Sequence, residues 1–259
     1  MLNDIVMTKQ QEVEYAKSRV PLADLKARVV NYMAGRSLPK TLLKSGKLAL
    51  IAELKRKSPS KGMLRERFDP IHLGQAMVGA GASALSVLTD EAYFGGHLDY
   101  LRDVKQFNDV PVLRKDFIVD PYQVYEAALY MADAVLLIVR ILTEDVLFQC
   151  MQAADTVGIE ALVEIHDEHE LKLALSAGAH TIGINHRDLS TFQLNPALTE
   201  QLVPKIPAGK VIVAESGLQT PQDLQRMQRL GVHAVLIGEA LMTAPDPAAK
   251  IKELFTGLW

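Results

Sequence analysis

Eight short apolar runs, each followed by a stretch with helical spacing, narrow the folds open to this chain more than any other feature. The runs are Lys47–Leu54, Ser83–Leu88, Val110–Leu113, Ala134–Val139, Ala161–Ile165, Thr181–Ile184, Val211–Ala214 and Ala234–Ile237. They are apolar throughout rather than alternating, as strands covered on both faces should be. Helical spacing follows, clearest over Pro121–Met131, Thr143–Val157, Glu168–Ala177 and Thr220–Leu230. Strand then helix, repeated, implies a parallel sheet. The junctions GAGAS (Gly79–Ser83), SAGAHT (Ser176–Thr181) and LGVHA (Leu230–Ala234) each put glycine between a helix and a strand, where it can stop the helix. Eight such units in one domain of 259 residues are the pattern of an α/β fold of the (β/α)8 TIM-barrel type. The rival, a doubly wound open sheet, would normally carry GxGxxG after its first strand. Here the first run is followed by KRKSPSKG instead.

The residues before the first run also read as helical, near Asp4–Met33 and Pro39–Ser45, with Val20, Leu22, Leu25, Val29 and Val30 as apolar content. They are expected to form an N-terminal helical extension, residues 1–46, packed against one end of a barrel that occupies 47–259. The two are expected to make one domain. Net charge is −3, so no strong field draws the chain to nucleic acid. Cys150 is the only cysteine, which excludes an internal disulfide, and FQCM around it reads as helix core. No run approaches the roughly twenty apolar residues of a membrane span, and the first residues lack a signal peptide's apolar stretch. A cytoplasmic protein that binds neither nucleic acid nor membrane is expected.

In a barrel of this kind the active site is built at the C-terminal ends of the strands. Those ends carry what a core would reject. The first ends in Glu53 and Lys55, the third in Arg114-Lys115-Asp116, and the fifth carries Glu164. The sixth ends in Asn185 and then Arg187, the seventh in Glu215-Ser216-Gly217, and the eighth in Gly238-Glu239. Buried charge is costly unless it is paired or used. Any one of these side chains could be exposed or ion-paired, but a ring of them at one mouth points to a polar pocket. Glu53 and Lys55, two apart, share a strand face. Two carboxylates (Glu53, Glu164) and two lysines (Lys55, Lys115) in one low-dielectric site can act as acid and base. The small residues after the seventh and eighth strands suit a phosphate, which many barrels bind there. Glu239 would repel a phosphate unless its side chain turns away.

Seven stretches, in order, resemble the indole-3-glycerol-phosphate synthase family of tryptophan biosynthesis. They are IAELKRKSPSKG (Ile51–Gly62), SVLTDEAYFGG (Ser86–Gly96), VLRKDFIVDPYQVYEA (Val112–Ala127), LVEIHDEHEL (Leu162–Leu171), GINHRDLSTF (Gly183–Phe192), VAESGL (Val213–Leu218) and LIGEALM (Leu236–Met242). The resemblance runs from about residue 47 to the C-terminus, and the helical extension also suits that family. It implies a carboxy-lyase that closes the ring of 1-(2-carboxyphenylamino)-1-deoxyribulose 5-phosphate, with loss of carbon dioxide and water, needing no metal or organic cofactor. A monomer, open to weak association, is expected. Motif by motif, Lys115 matches the general acid on the substrate carbonyl, and Glu164 the acid/base residue of the dehydration half. Glu53 and Lys55 match a pair that orients the site, with Lys55 also near the phosphate. Asn185 is carried over as catalytic. Ser58, Arg187, Leu189, Glu215 and Ser216 are carried over as substrate-binding, Gly217 and Gly238 as phosphate-binding, and Phe94 and Phe117 as walls of the anthranilate ring. His186 stands where the family often shows a second Asn, and Glu239 where a small hydroxyl residue is frequent.

Plainer readings stand beside these. His166 and His169 are three apart at a helix start, and a solvated pair is the expectation there, since no third metal ligand has matching spacing. KRKSPSK lacks the interleaved aromatics of a nucleic-acid patch. Two other functions stay open: a barrel isomerase acting on a phosphorylated sugar, such as phosphoribosylanthranilate isomerase, and a non-catalytic barrel. The first wants a Cys/Asp-type acid–base pair, and no strand here ends in Cys. The second should have lost one of Glu53, Lys55, Lys115, Glu164 or Asn185, and all are present.

Overall fold

Every apolar run forms a strand. A computed structural model describes residues 1–29, 35–44, 46–189 and 191–259. The strands are β1 (Ala49–Leu54), the hairpin pair β2 (Lys57–Ser58) and β3 (Gly62–Met63), then β4 (Ala84–Leu88), β5 (Val112–Lys115), β6 (Ala134–Ile138), β7 (Glu160–Ile165), β8 (Thr181–Asn185), β9 (Val211–Glu215) and β10 (Ala234–Ile237). β1 and β4 to β10 run parallel and close into a barrel, with β1 paired to β4 on one side and to β10 on the other. The third run starts later than expected, at Val112, and continues to Lys115. Pro111 precedes it and has no N–H to give a ladder.

Outside lie α4 (Pro70–Gly79), α5 (Leu98–Gln106), α6 (Tyr122–Leu129), α7 (Glu144–Val157), α8 (Glu168–Ser176), α9 (Leu198–Leu202), α10 (Pro221–Arg229), α11 (Glu239–Met242) and α12 (Pro247–Leu254). Local chemistry sets their ends. Asp69 accepts from the N–H groups of Ile71 and His72 to start α4, and Asp167 accepts from Glu170 N to start α8. Thr220 and Asp223 form a reciprocal capping box on α10. Gly178 and Gly231, in two of the junctions singled out in the sequence, take φ of +84° and +81°.

The extension holds α1 (Leu2–Arg19), α2 (Leu22–Val29) and α3 (Leu38–Leu43). Val30, Met33 and Ser45, which the expected helices included, lie outside the described residues. The extension, expected against one end of the barrel, instead reaches both. On α3, Leu38 and Leu42 join the barrel's inner core, and Leu38 N and Ser37 Oγ donate to Glu160 at the start of β7. On α1, Lys9 reaches Asp90 and Asp116, which follow the ends of β4 and β5. One helix therefore closes the floor while another touches the mouth. At the other terminus Trp259 stacks on Phe255, 4.1 Å between centroids, and donates to Leu48 O.

Two apolar cores result. Leu50, Ala52 and Leu54 face the helices, while Ala49 and Ile51 face the barrel axis with Ala84, Leu113, Leu136, Leu162, Val213 and Leu236. That alternation positions everything in the site.

Candidate active site

Period two carries each strand from the inner core into the mouth. On β1 the inward series is Ala49, Ile51, then Glu53. On β5 it is Leu113, then Lys115; on β7 Leu162, then Glu164; on β9 Val211, Val213, then Glu215. On β8 it is Thr181, Gly183, then Asn185, and on β10 Ala234, Leu236, then Gly238. One cavity lies over these ends, and Ile138, Leu88 and Leu236 give it an apolar floor. All the residues carried over from the family line it: Glu53, Lys55, Ser58, Phe94, Lys115, Phe117, Glu164, Asn185, Arg187, Leu189, Glu215, Ser216, Gly217 and Gly238. Arg114, expected at the mouth, does not; it pairs with Asp116 and with Glu126 of α6.

Its charges are close and nearly dry. Glu164, Glu215 and Glu53 are 0, 2 and 4 % exposed. Lys115 Nζ lies 3.6 Å from Glu164 Oε2, and Lys55 Nζ 2.7 Å from Glu53 Oε2. Asn185 Nδ2 donates to Glu164 Oε1 at 3.1 Å, and its own Oδ1 accepts from Arg187 N at 3.0 Å. Burial works against the charge of Lys115, but Glu164, Glu215 and Glu53 outweigh it and hold the ammonium above its usual range. Burial likewise works against ionised Glu164, yet Lys115, His166 and Asn185 pull its pKa down to about 2. Glu215 goes the other way. Burial, then the charge of Glu164, push it well above the carboxylate range, and Lys115 only partly opposes them. The surroundings thus push the two glutamates in opposite directions, an arrangement suited to one acceptor and one donor.

Among the described residues, three buried oxygens lining the cavity make no hydrogen bond: Ser58 Oγ, Glu215 Oε1, and Glu164 Oε2, which faces Lys115. Buried groups of that kind are costly unless something else meets them. Phe94 and Phe117 face each other with centroids 5.8 Å apart and planes at 39°, forming one wall. Glu239 is turned into ion pairs with Arg187 (3.6 Å) and Lys61 (3.9 Å).

Several parts of the site were not foreseen. Glycine at 238 and 183 makes room for carboxylates: a Cβ would fall 2.1 Å from Glu53 Oε2 at the first and 2.2 Å from Glu215 Oε1 at the second. His186 has a definite place. Its Nδ1 is 3.0 Å from Ser216 O and its Nε2 2.6 Å from Thr199 Oγ1. A carbonyl only accepts, so Nδ1 carries the proton. Burial lowers the ring's pKa and keeps it neutral, so Nε2 accepts from Thr199. The Nδ1 bond to its carbonyl holds Ser216, which has φ of +67°, a conformation that costs on the order of 1 kcal/mol outside glycine.

Lys9 is the third surprise. It is 3 % exposed, with Asp90 Oδ2 at 3.1 Å, Asp116 Oδ1 at 3.0 Å and Glu12 Oε2 at 2.6 Å. Asp90 Oδ1 accepts from the N–H groups of Tyr93 and Phe94, and Asp116 Oδ1 from that of Phe117. A helix outside the barrel thereby holds the backbone of both aromatic wall residues.

The expected solvated histidine pair is half wrong. His169 is exposed, but His166 is buried between Glu164 (3.3 Å) and Glu170 (3.0 Å), because Glu170 folds back one turn onto it. Cys150 is buried in α7 away from the cavity, and burial pushes its thiol up to about 12. Among the described residues no three His, Cys, Asp or Glu are grouped to hold a metal ion, and no helix is long and apolar enough to cross a membrane.

Comparisons with known proteins give the chain a family. The family model described as Indole-3-glycerol phosphate synthase matches residues 2–254. A protein of that name from Dehalococcoides mccartyi (strain CBDB1) is 44 % identical over 257 residues, covering 98 % of this chain and 99 % of its own. Another, from Carboxydothermus hydrogenoformans, is 43 % identical over 260 residues, covering 98 % of each. Among solved structures, 3-hexulose-6-phosphate synthase from Salmonella typhimurium superposes with a TM-score of 0.66 at 17 % identity, over 82 % of this chain and 98 % of that one. Such a distant likeness speaks for the barrel alone, whereas the sequence matches run the length of the chain. On those matches, the chain belongs to the indole-3-glycerol phosphate synthase family.

Proposed function

We propose that the protein closes the indole ring: it converts 1-(2-carboxyphenylamino)-1-deoxyribulose 5-phosphate into indole-3-glycerol phosphate, releasing carbon dioxide and water. The observation that carries this reading is the Lys115–Glu164 pair, 3.6 Å apart, in a mouth where Ser58 and Glu215 each leave a buried oxygen without a hydrogen bond.

The steps follow from the charges. The phosphate sits beside Lys55, Gly217 and Gly238, and the aryl ring between Phe94 and Phe117. Anchoring both ends brings the carboxyl-bearing ring carbon against the ketone and removes much of the entropic barrier. That carbon attacks the ketone carbon. The carbonyl π pair moves to oxygen, which takes a proton from Lys115. The ring–carboxylate bond then breaks, its electrons restore the aromatic ring, and carbon dioxide leaves. Arg187 and Asn185 hold the carboxylate until then, and the apolar wall does not stabilise it. In the dehydration half the nitrogen lone pair helps expel the hydroxyl, which takes a proton from neutral Glu215 and departs as water. Ionised Glu164 takes the proton from the adjacent carbon. Lys115 and Glu215 each give one proton and Glu164 gains one, matching the single proton the overall reaction consumes.

A cytoplasmic monomer with no metal or organic cofactor, and no nucleic acid or membrane partner, goes with this reading. Residues 1–46 go with it as an extension of a single domain, tied on by Lys9. The isomerase alternative would want a thiol at a strand end, and Cys150 lies in α7 instead. The test is direct. Purified protein with the carboxyphenylamino-deoxyribulose phosphate and a chelator should generate indole fluorescence. A folded protein giving none would overturn the reading.

A further inference from the structure

Glu164 is held from behind as well as from the cavity. His166, two residues on and not among the cavity-lining residues, has Nε2 3.3 Å from Glu164 Oε1, an ion-pair contact outside hydrogen-bond geometry. Its Nδ1 lies 3.0 Å from Glu170 Oε2, and its backbone N–H donates to the same oxygen at 2.6 Å. Both ring nitrogens face carboxylates. Glu170 Oε1 accepts in turn from Arg140 Nε at 2.7 Å, and Arg140 Nη1 donates to Asp188 Oδ2 at 2.9 Å. Asp188 organises the segment around it. Its Oδ1 accepts from Thr191 N and Oγ1, its carbonyl from Phe192 N, and its own N–H donates to Gln193 O. Arg187, Leu189 and Phe192 of that segment line the cavity.

Acidic and basic side chains therefore alternate along Glu164, His166, Glu170, Arg140 and Asp188, from a site carboxylate to a substrate-facing loop. We propose that His166 is a positioning residue for Glu164, and that Glu170, Arg140 and Asp188 extend its hold to the loop carrying Arg187 and Leu189. The proposal rests on the reading of Glu164 as proton acceptor. Nothing in it requires His166 to touch substrate.

The surroundings of His166 are consistent with a charged ring. Glu164 meets it from β7, and Glu170 from α8, with Asp167 at that helix's cap. The cations Arg140 and Lys115 lie beyond Glu170 and Glu164, each on the far side of a carboxylate. Burial favours the neutral imidazole, but the two glutamates outweigh it and bring the ring up to about 9. A fixed cation behind Glu164 Oε1 leaves Oε2 to face Lys115 and keeps the carboxylate ionised. The link to Asp188 ties that orientation to the position of Arg187.

The test compares kcat and KM against pH for the parent, Glu164→Gln, His166→Gln, Arg140→Met and Arg140→Lys, with circular dichroism on each. Glu164→Gln should lose turnover. His166→Gln should lower kcat about tenfold and move the acid limb of kcat up by about one pH unit, since one of two cations on Glu164 is gone. Arg140→Met should act mainly on KM, with Arg140→Lys recovering part of the loss. An inactive Glu164→Gln beside a His166→Gln with parental kcat and acid limb would overturn the proposal while leaving the proposed reaction intact. Full activity in Glu164→Gln would overturn the proposal together with the role of Glu164 as proton acceptor, while still showing the reaction. Should His166→Gln fold poorly, NMR of the His166 ring in the parent decides. Titration near pH 9, falling in Glu170→Gln, supports the proposal, and titration at the ordinary histidine value sinks it.

Discussion

Gly238 on β10's end lies flush against Glu53 on β1: a Cβ there would be 2.1 Å from Glu53 Oε2 and 3.1 Å from Glu53 Cβ. Gly238 has φ of −122°, outside the left-handed region that favours glycine. The need for glycine is spatial, and the space belongs to the carboxylate paired with Lys55. Gly238→Ala should therefore push Glu53 off Lys55. We expect kcat/KM to fall by about tenfold or more, with the melting temperature changed by only a few degrees. Parental kinetics in this variant would show that Glu53 has room the structure does not give it.

Lys9 offers a test of what ties the extension to the mouth. Lys9→Met leaves Asp90 with no cation and Asp116 with only Arg114, whose Nη2 is 3.1 Å away. Removing one partner from a buried ion pair costs about 3–5 kcal/mol, less here because Arg114 remains. A melting temperature lower by roughly 5–10 °C is expected for a chain of this size. The same carboxylates hold the backbone at Phe94 and Phe117, so KM should rise. Hydrogen exchange in α1 should accelerate more than in the barrel strands. An unchanged melt would contradict the account of this cluster.

Two buried groups make pH-dependent contributions of opposite sign. His166 is raised to about 9 in the folded protein. Its contribution is complete below the unfolded value near 6.5 and is lost as pH rises through 9. Asp116 is lowered to about 2, with burial opposing and Arg114 and Lys9 prevailing. Its contribution is complete above the unfolded value near 3.8 and is lost as pH falls through 2. Urea midpoints should therefore show parent and His166→Gln converging from pH 7 to 9.5, and parent and Asp116→Asn converging below pH 4. A gap that stays constant over either range would rule out that shift.

Most of the site was readable because strand geometry is strictly periodic. Ala49, Ile51, Glu53 and Lys55 lie two apart, so the residue after the last inward apolar one must enter the mouth. The same rule delivers Lys115, Glu164, Asn185 and Glu215. What could not be read depends on contacts between distant segments. HDEHE at the start of α8 resembles a solvated face. His166 is buried only because Glu170 turns back and Arg140, from the turn after β6, neutralises it. Lys9 sits on a largely polar helix, and its partners come from the ends of β4 and β5. Gly238 reads as a phosphate-loop glycine, and its neighbour Glu53 lies across the seam where β1 and β10 close the barrel.

The most direct test of the central claim is a single-turnover measurement with Lys115→Ala in excess over the carboxyphenylamino-deoxyribulose phosphate, followed by indole fluorescence in chelator. The account predicts a rate of ring closure lower by about a thousandfold, within the range for losing a general acid, with binding of the phosphorylated substrate retained. Ring closure within tenfold of the parent rate would contradict it, and would move the proton donor for the ketone away from Lys115.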